Sequence, residues 1–367
     1  MRLIRNLVFY CLSIAFATKC QAQKITEFQK DYQLDLIKAT DVIKIDGILD
    51  EAIWANTKLV NADNKKFPNN IGEAKRKTEV RFTFDDKNIY FAFKVYDSGT
   101  AIIKSLKRDV GHDGNDGIGI VLDPLNQKTN GFFFVLSALN VQSEDQLSSS
   151  TERMSDWSWD TKWFSATKDY GNFWVAEIMI PLKSLRYDPN QKYWGINFIR
   201  IDAKNVQYNT WAKVPPTFRS YDLGYTGVIH WPTAPPINSN NLIIQPYITG
   251  TANEDKLNNK SFNANGNAGF DAKVALNTSL NLDVTVNPDF SQVEVDQQVT
   301  NLTRFNIFLP ERRNFFIENS DLFANFGIPP VRPFYSRTIG LDKQGNRIPI
   351  LFGARLSGNL APGTRIG

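Results

Sequence analysis

Residues 271–287 read DAKVALNTSLNLDVTVN, and their polarity alternates almost without interruption. Seven of the eight even-numbered positions are apolar, and most odd-numbered positions are polar. Successive residues of a β-strand point to opposite faces, so the pattern predicts strands with one apolar face and one polar face. A turn at Asn277–Ser279 preserves this parity, and two strands on either side of it can therefore share the same apolar face.

This alternation has two interpretations. A soluble sheet can cover one face with a core and leave the other in water, whereas the strands of an outer-membrane β-barrel face lipid and lumen in turn. An export signal would favour the barrel, because only an exported chain reaches the outer membrane.

The first 22 residues have the composition of a secretory signal peptide. Arg2 and Arg5 precede an apolar run over residues 7–17, and Ala22 ends a short motif that resembles a cleavage site. The apolar run is short for a membrane-spanning helix, so we expect cleavage after Ala22. The sequence therefore predicts an outer-membrane protein with membrane lipid as one partner.

Composition excludes several classes of site. Both cysteines, Cys11 and Cys20, lie in the signal, so the mature chain would have no disulfide and no cysteine metal site. Three of the 42 basic residues and none of the 38 acidic residues lie in the signal, which leaves 39 against 38. This balance gives no indication of a nucleic-acid partner.

Alternating runs dominate from about residue 40 to residue 231, and turn residues separate them. Short helices are predicted at Leu49–Trp54 and Pro181–Leu185. Such spacing is typical of an antiparallel β-sandwich. The predicted strands are residues 80–84, 89–95, 117–122, 131–136, 161–166, 173–180, 194–202 and 225–231.

The predicted fold class is all-β: a sandwich followed by an incomplete outer-membrane β-barrel. Three prolines within residues 232–236 indicate a stiff linker. The last region supplies about four strands, and a small barrel needs about eight, so we expect a truncated barrel. The predicted segments are a signal (1–22), a lead segment (23–37), the sandwich (38–232), a linker (233–241) and the start of the barrel (242–367).

Several blocks of the first region resemble carbohydrate-binding module family 9. The opening block is IKIDGILDEAIW at residues 43–54, and the block NIYFAF at residues 88–93 precedes Asp97. Later blocks are GIGIVLDP at 117–124, WVAEIMIP at 174–181 and WGINFIR at 194–200. The resemblance implies a β-sandwich that holds sugars.

Three blocks of the second region resemble a barrel family of unknown function, DUF5916. They read NPDFSQVEVD at 287–296, PERRNFFIE at 310–318 and FYSRTIG at 334–340. This resemblance implies an outer-membrane barrel that continues beyond residue 367.

The stretch DWSWDTKW at residues 156–163 is the candidate sugar site. Sugar binding uses flat aromatic faces and polar side chains for hydroxyl groups. Trp157 and Trp159 share a parity, Trp163 follows, and Arg153 is a polar partner. Core packing is the alternative role for these tryptophans.

An acidic loop is the candidate metal site. Its oxygen ligands would be Asp109, Asp113, Asn115 and Asp116, and flanking glycines would allow tight wrapping. Hard cations take such ligands, so a structural calcium ion is one hypothesis, and a solvated turn is the other. No further cofactor is predicted.

Charged residues punctuate the aromatic stretch of the second region. Arginine pairs with carboxylates through two bonds, so we expect these charges to tie the stretch into the barrel lumen. A periplasmic surface helix is the alternative. The predicted network comprises Glu311, Arg312, Arg313 and Glu318.

The predicted function is glycan binding by an exported sandwich tethered to the barrel. One alternative is a hydrolase of O-glycosyl bonds, which needs two carboxylates across a cleft. Glu177 is the best single candidate for such a carboxylate, although a structural role fits its strand position better, and no catalytic residue is assigned. The other alternative is an envelope docking or assembly protein that binds no sugar.

Overall fold

The protein is described from a computed structural model, whose strands form three β-sheets. The described residues are 25–109, 114–148, 155–156, 159–236, 242–255, 260–276, 280–288, 314–317, 334–342, 348–361 and 364–367. The predicted signal at residues 1–22 lies outside them. None of the helices in these ranges is long and apolar enough to cross a membrane.

Sheet A has nine strands and forms one layer of the sandwich. Along its main path the order is β1-β14-β12-β6-β7-β8-β9, and β13 and β3 extend β12 on one side. The pairing is antiparallel except between β1 and β14. The strands are β1 (Gln33–Asp35), β3 (Asn64–Phe67), β6 (Gly117–Asp123), β7 (Asn130–Ser137), β8 (Gln142–Ser148), β9 (Ser155–Asp156), β12 (Tyr193–Asp202), β13 (Gln207–Thr210) and β14 (Gly227–His230).

Sheet B has five antiparallel strands in the order β10-β11-β5-β4-β2 and forms the second layer. They are β2 (Val60–Asn61), β4 (Thr78–Phe84), β5 (Asn88–Tyr96), β10 (Phe164–Asp169) and β11 (Phe173–Pro181). Helices α1 (Glu27–Lys30) and α2 (Ala52–Asn56) and a 3-10 turn at Leu182–Ser184 lie beside the sheets. Both predicted helical segments therefore contain a helical turn, and Pro181 caps the second one.

The main core lies between sheets A and B. Alternate residues of facing strands fill it, including Phe91 and Phe93 of sheet B and Phe198 of sheet A, all fully buried. Phe198 contacts both of the other rings at centroid distances of 5.9–6.0 Å. Edge-to-face pairs of this kind add to the burial of apolar area. The predicted antiparallel sandwich is confirmed.

The residues assigned to a lead segment are integrated into the sandwich. Leu34 and Leu36 are buried in the main core, and the neighbouring β1 pairs with β14. Gln29 of α1 donates a buried hydrogen bond to Asn126 at 2.9 Å. The sequence could not indicate this packing, because a parallel edge strand of three residues has too few positions to show a period.

Sheet C carries the segment with the alternating sequence. Its order is β15-β16-β17-β18-β19, with all pairs antiparallel. The strands are β15 (Leu242–Asp255), β16 (Lys260–Ala275), β17 (Leu280–Val286), β18 (Phe352–Ala361) and β19 (Thr364–Ile366). The sheet is open in the described part of the chain, so closure into a barrel stays a prediction.

The register of sheet C confirms the predicted parity. Leu282 of β17 lies opposite Val274 of β16 and Leu356 of β18, whereas Asp283 lies opposite Lys273 and Arg355. Apolar residues therefore form one face and polar residues the other, across three strands. The two faces differ in burial: the polar Asp283, Thr285, Arg355 and Ser357 are buried, and the apolar Phe352 and Leu356 are exposed.

Candidate functional site

The two loops that the sequence singled out meet beside the start of β8. Arg108 of the first loop donates from Nη2 to Asp160 Oδ1 at 3.2 Å and to the carbonyl oxygen of Thr161 at 3.0 Å. It also donates to Glu144, and from Nη1 to Gln142 Oε1 at 3.1 Å. We call Arg108, Gln142, Glu144, Asp160 and Thr161 the Arg108 cluster. One arginine thus joins the predicted metal loop to the predicted sugar loop.

Strand β8 places polar side chains on the inner face of sheet A, at its edge. Glu144 lies opposite Phe134, and Gln142 lies opposite Leu136, whose side chains belong to the main core. The next even position, Gln146, lies opposite Phe132. The apolar face of the sheet therefore ends in a row of amide and carboxyl groups. Solvent reaches Arg108 and Asp160 beside this row.

Burial raises the pKa of the Glu144 carboxyl. Its side chain is 0 % exposed, and this burial, together with a hydrogen bond shared with Asp160, raises the pKa of the carboxyl to about 7. Bonds from Trp163 and Arg108 act in the opposite direction. Burial also raises the pKa of Asp109, against the attraction of Arg108. Glu144 and the neighbouring Asp109 therefore take up a proton more readily than ordinary carboxyl groups do.

The two described tryptophans of the predicted sugar site have different roles. Trp163 is 3 % exposed, packs its ring against Phe134 at 5.5 Å and donates from Nε1 to Glu144 Oε2 at 3.0 Å. The structure gives Trp163 the alternative, core-packing role, in which it orients Glu144. Trp159 is half-buried and packs on Phe132 at 4.9 Å, beside the cluster. Trp157 and Arg153 lie outside the described residues.

The predicted calcium ligands do not converge in the described part of the chain. Asp116 is fully buried and accepts from the Ile102 amide at 2.7 Å and from Arg200 Nη2 at 3.4 Å. Asn115 accepts instead from the amide of Lys104. Asp113 lies outside the described residues, within which no group of three metal-ligating side chains is found. Asp116 is therefore reassigned to an ion pair, and calcium binding stays a prediction.

Asp116 belongs to a buried charge network at the end of β12. Arg200 is 0 % exposed and pairs with Asp97 at 3.1 Å as well as with Asp116. Lys204 and Arg76 also pair with Asp97. Asp97 follows β5 of sheet B, and Arg200 belongs to sheet A, so the network joins the two layers.

Glu177 has a structural role in the opening block of the sandwich. Its Oε2 accepts from the amides of Asp46 and Gly47 at 3.0 and 2.8 Å. The side chain is fully buried, and burial raises the pKa of its carboxyl to about 7. Glu51 of the same block accepts from Trp54 Nε1 at 3.0 Å. Glu177 thus holds the Asp46–Gly47 turn of the block, and Glu51 holds its tryptophan.

In the second region, a short helix lies on the polar face of sheet C. Arg355 donates to the carbonyl oxygen of Phe315 at 2.5 Å in α3 (Asn314–Ile317) and to Asp283 Oδ2 at 2.7 Å. The carbonyl oxygen of Ser357 accepts from Arg186 of the sandwich at 2.9 Å. The tie that the structure describes is thus made by Arg355. The predicted network of Glu311, Arg312, Arg313 and Glu318 lies outside the described residues.

Sequence reasoning missed Arg108, Gln142 and Glu144. Strand β8 reads QSEDQLS, and its two adjacent carboxylates hide the alternation. The available signal was the position of this segment directly after the apolar β7, where a hairpin partner is expected.

The comparisons with known proteins cover both regions of the chain. Residues 45–219 match the family described as Carbohydrate family 9 binding domain-like, and residues 238–349 match the family described as Domain of unknown function (DUF5916). No curated protein matches the sequence.

Two solved structures of a carbohydrate-binding module of family 9 from Caldicellulosiruptor kristjanssonii are similar to this chain. The complex with glucose is 15 % identical, covers 57 % of this chain and 98 % of its own, and has a TM-score of 0.40. The complex with cellotriose is 14 % identical, covers 55 % and 94 %, and has a TM-score of 0.41. From the family matches, the chain contains a domain similar to carbohydrate-binding family 9, followed by a region similar to DUF5916.

Proposed function

We propose that the sandwich binds a saccharide at the Arg108 cluster, beside Trp159. The family match over residues 45–219 supports carbohydrate binding in general. The observation that carries the location is the meeting of two loops through Arg108, next to a half-buried tryptophan. Carboxyl, amide and guanidinium groups supply the acceptors and donors that sugar hydroxyls need, and an indole ring supplies an apolar face.

The geometry favours binding over hydrolysis of glycosyl bonds. Glycosidases hold their two carboxyl groups about 5 to 10 Å apart, with the sugar or a water between them. Glu144 and Asp160 instead both accept from Arg108 Nη2, so the guanidinium occupies the place between them that a glycosidase leaves for the sugar or a water.

A pair of matched variants tests the site. Asp160 is exposed and paired with Arg108, and Asp86 is equally exposed and paired with Lys38 on sheet B. A panel that includes glucose and cellotriose is titrated into the full chain, and free reducing ends are measured in the same samples. Asp160→Asn should weaken saccharide binding by about tenfold or more, since a hydrogen bond to a charged group is lost. Asp86→Asn should bind as the wild type does.

Three outcomes count against this proposal. Equal losses in both variants would place the site elsewhere. Release of reducing ends would support the hydrolase. A blank panel together with a cross-linked envelope protein would support the docking alternative.

We further propose that sheet C is the start of an outer-membrane β-barrel that anchors the sandwich. The support is its inverted polarity: Asp283 and Thr285 are 6 % and 1 % exposed, and Phe352 is 75 % exposed. A soluble sheet buries its apolar face, because burial of apolar area is the main stabilising term. The wall of a membrane barrel has the opposite arrangement, with apolar side chains outward and polar ones inward.

Carbonate extraction of bacterial envelopes tests the anchor. The full chain should stay in the membrane pellet and require detergent for release. A matched pair of variants locates the contact: Leu356→Arg puts a charge on the apolar face, and Lys38→Glu changes charge on the sandwich. Only Leu356→Arg should reduce membrane retention, since a charge facing lipid costs about 2–4 kcal/mol at mid-depth. Complete release of the wild type by carbonate would refute the anchor.

A further inference from the structure

A cavity of about 290 Å³ lies between α3, residues 334–339 and the ends of β17 and β18. Most of its lining side chains are aromatic or aliphatic, including Phe315, Phe334 and Ile339. Thr285, Ser336 and Arg355 are the polar members. This volume is near the lower limit of known small-molecule pockets, which are mostly apolar with a few polar groups.

Arg355, the charged residue of the cavity wall, is paired within the protein. Arg355 donates to Asp283 Oδ2 from both Nε and Nη2, at 3.2 and 2.7 Å. Its Nη1 donates to the carbonyl oxygen of Phe315, and its guanidinium lies 5.4 Å from the ring of that residue. An anionic ligand that took Arg355 as its partner would compete with Asp283, and breaking a buried ion pair is costly.

The packing around Gly353 keeps the cavity in shape. A Cβ atom at this position would lie 3.1 Å from Phe315 Cζ and 3.2 Å from Thr285 Cγ2. The glycine therefore lets the ring of Phe315 approach the sheet closely while Arg355 holds the backbone of α3. Both contacts fix one wall of the cavity.

We propose that this cavity is a binding site for an uncharged apolar small molecule, such as an aromatic ring system or a short aliphatic chain. The apolar lining favours such a group, and the internal ion pair excludes a charged one. The site lies in the second region of the chain, and it is independent of saccharide binding by the sandwich.

Two fluorescent probes with the same ring system test the proposal on the full chain. N-phenyl-1-naphthylamine is neutral, and 1-anilinonaphthalene-8-sulfonate adds one negative charge. The neutral probe should bind the wild type at least about tenfold more tightly than the sulfonate, because only the sulfonate disturbs the ion pair of Arg355.

Two tryptophan variants locate the bound probe. Ile339→Trp fills the cavity, and Ile348→Trp puts the same ring on a half-exposed residue that does not line it. All eight native tryptophans precede residue 232. Ile348→Trp should therefore keep the affinity for the neutral probe and add energy transfer to it, whereas Ile339→Trp should lower the affinity by about tenfold or more.

Three results would overturn the proposal. The neutral probe shows no saturable binding, Ile339→Trp leaves its binding unchanged, or both probes bind with equal affinity. Ile339→Ala, which enlarges the cavity, separates blocked access from misfolding: it should retain binding even if Ile339→Trp unfolds. Loss of binding in both Ile339 variants, with a folded Ile339→Ala protein, also contradicts the proposal.

Discussion

Glu177 makes the stability of the sandwich depend on pH near neutrality. In the folded chain its carboxyl has a pKa of about 7, raised first by burial, against 4.5 for an ordinary glutamate. The folded state therefore binds this proton more tightly than the unfolded state does. Its contribution to stability is fully present below pH 4.5 and is lost as the pH rises through about 7.

The magnitude follows from the same two values. The gap between 4.5 and about 7 corresponds to roughly 3 kcal/mol in total, and most of it falls between pH 5 and pH 8. The side chain is 0 % exposed, so solvent does not screen this effect. Glu177→Gln keeps an oxygen acceptor for the amides of Asp46 and Gly47 and removes the titration. Relative to the wild type, this variant should gain about 2–3 kcal/mol between pH 5 and pH 8.

Urea unfolding followed by tryptophan emission measures this difference in the full chain. All eight tryptophans lie between residues 54 and 231, so the emission reports on the sandwich alone. Glu27→Gln applies the same chemical change to an exposed side chain of α1 and serves as the control. If the stability difference between Glu177→Gln and the wild type is the same at pH 5 and pH 8, the assigned role of burial is refuted.

Two further predictions concern stability. Arg200→Met should destabilise the sandwich by about 3–5 kcal/mol, because it removes the fully buried partner that Asp97 and Asp116 share. Lys38→Met at an exposed pair should cost less than about 1 kcal/mol. Urea midpoints measure both, and equal effects would contradict the role of burial. Gly47→Ala should cost about 1–3 kcal/mol, because Gly47 has a φ of +82° and its Cβ would lie 2.9 Å from Lys168 Cβ. Gly171→Ala, with a φ of +88° and open space around it, separates the backbone cost from the clash, and the same loss in both variants would argue against the clash.

Strand periodicity predicted most of the sandwich, because its central strands alternate clearly. The blocks at β5, β11 and β12 place apolar residues at every second position, and these residues form the main core. Strands β1, β3 and β13 were not predicted. They have three or four residues each, which is too short for a period to stand out.

The parity of the 271–287 segment was predicted correctly, and its burial shows why parity alone could not decide its environment. The register places Val284 opposite Ala272 and Ala354, so one face is apolar whatever it contacts. Which face is covered depends on α3 and Arg186, which come from distant parts of the chain. Alternation identifies two faces, and only tertiary contacts decide which of them is buried.

The candidate site was predicted in part. The aromatic stretch at 156–163 does lie beside polar groups. Trp163, however, faces the core, where its indole N–H donates to the buried Glu144. Arg108 was not predicted, since nothing local distinguishes it from other surface arginines. Its role depends on contacts with residues 34 to 53 positions away in sequence.

Hydrogen–deuterium exchange of the full chain, with and without the tightest-binding saccharide of the panel, locates the binding site most directly. We expect ligand protection in peptides that cover residues 105–109, 142–146 and 159–163, and no change in β4 or in α2. Protection confined to other strands of the sandwich, with these three segments unchanged, would contradict the proposal that the Arg108 cluster holds the saccharide.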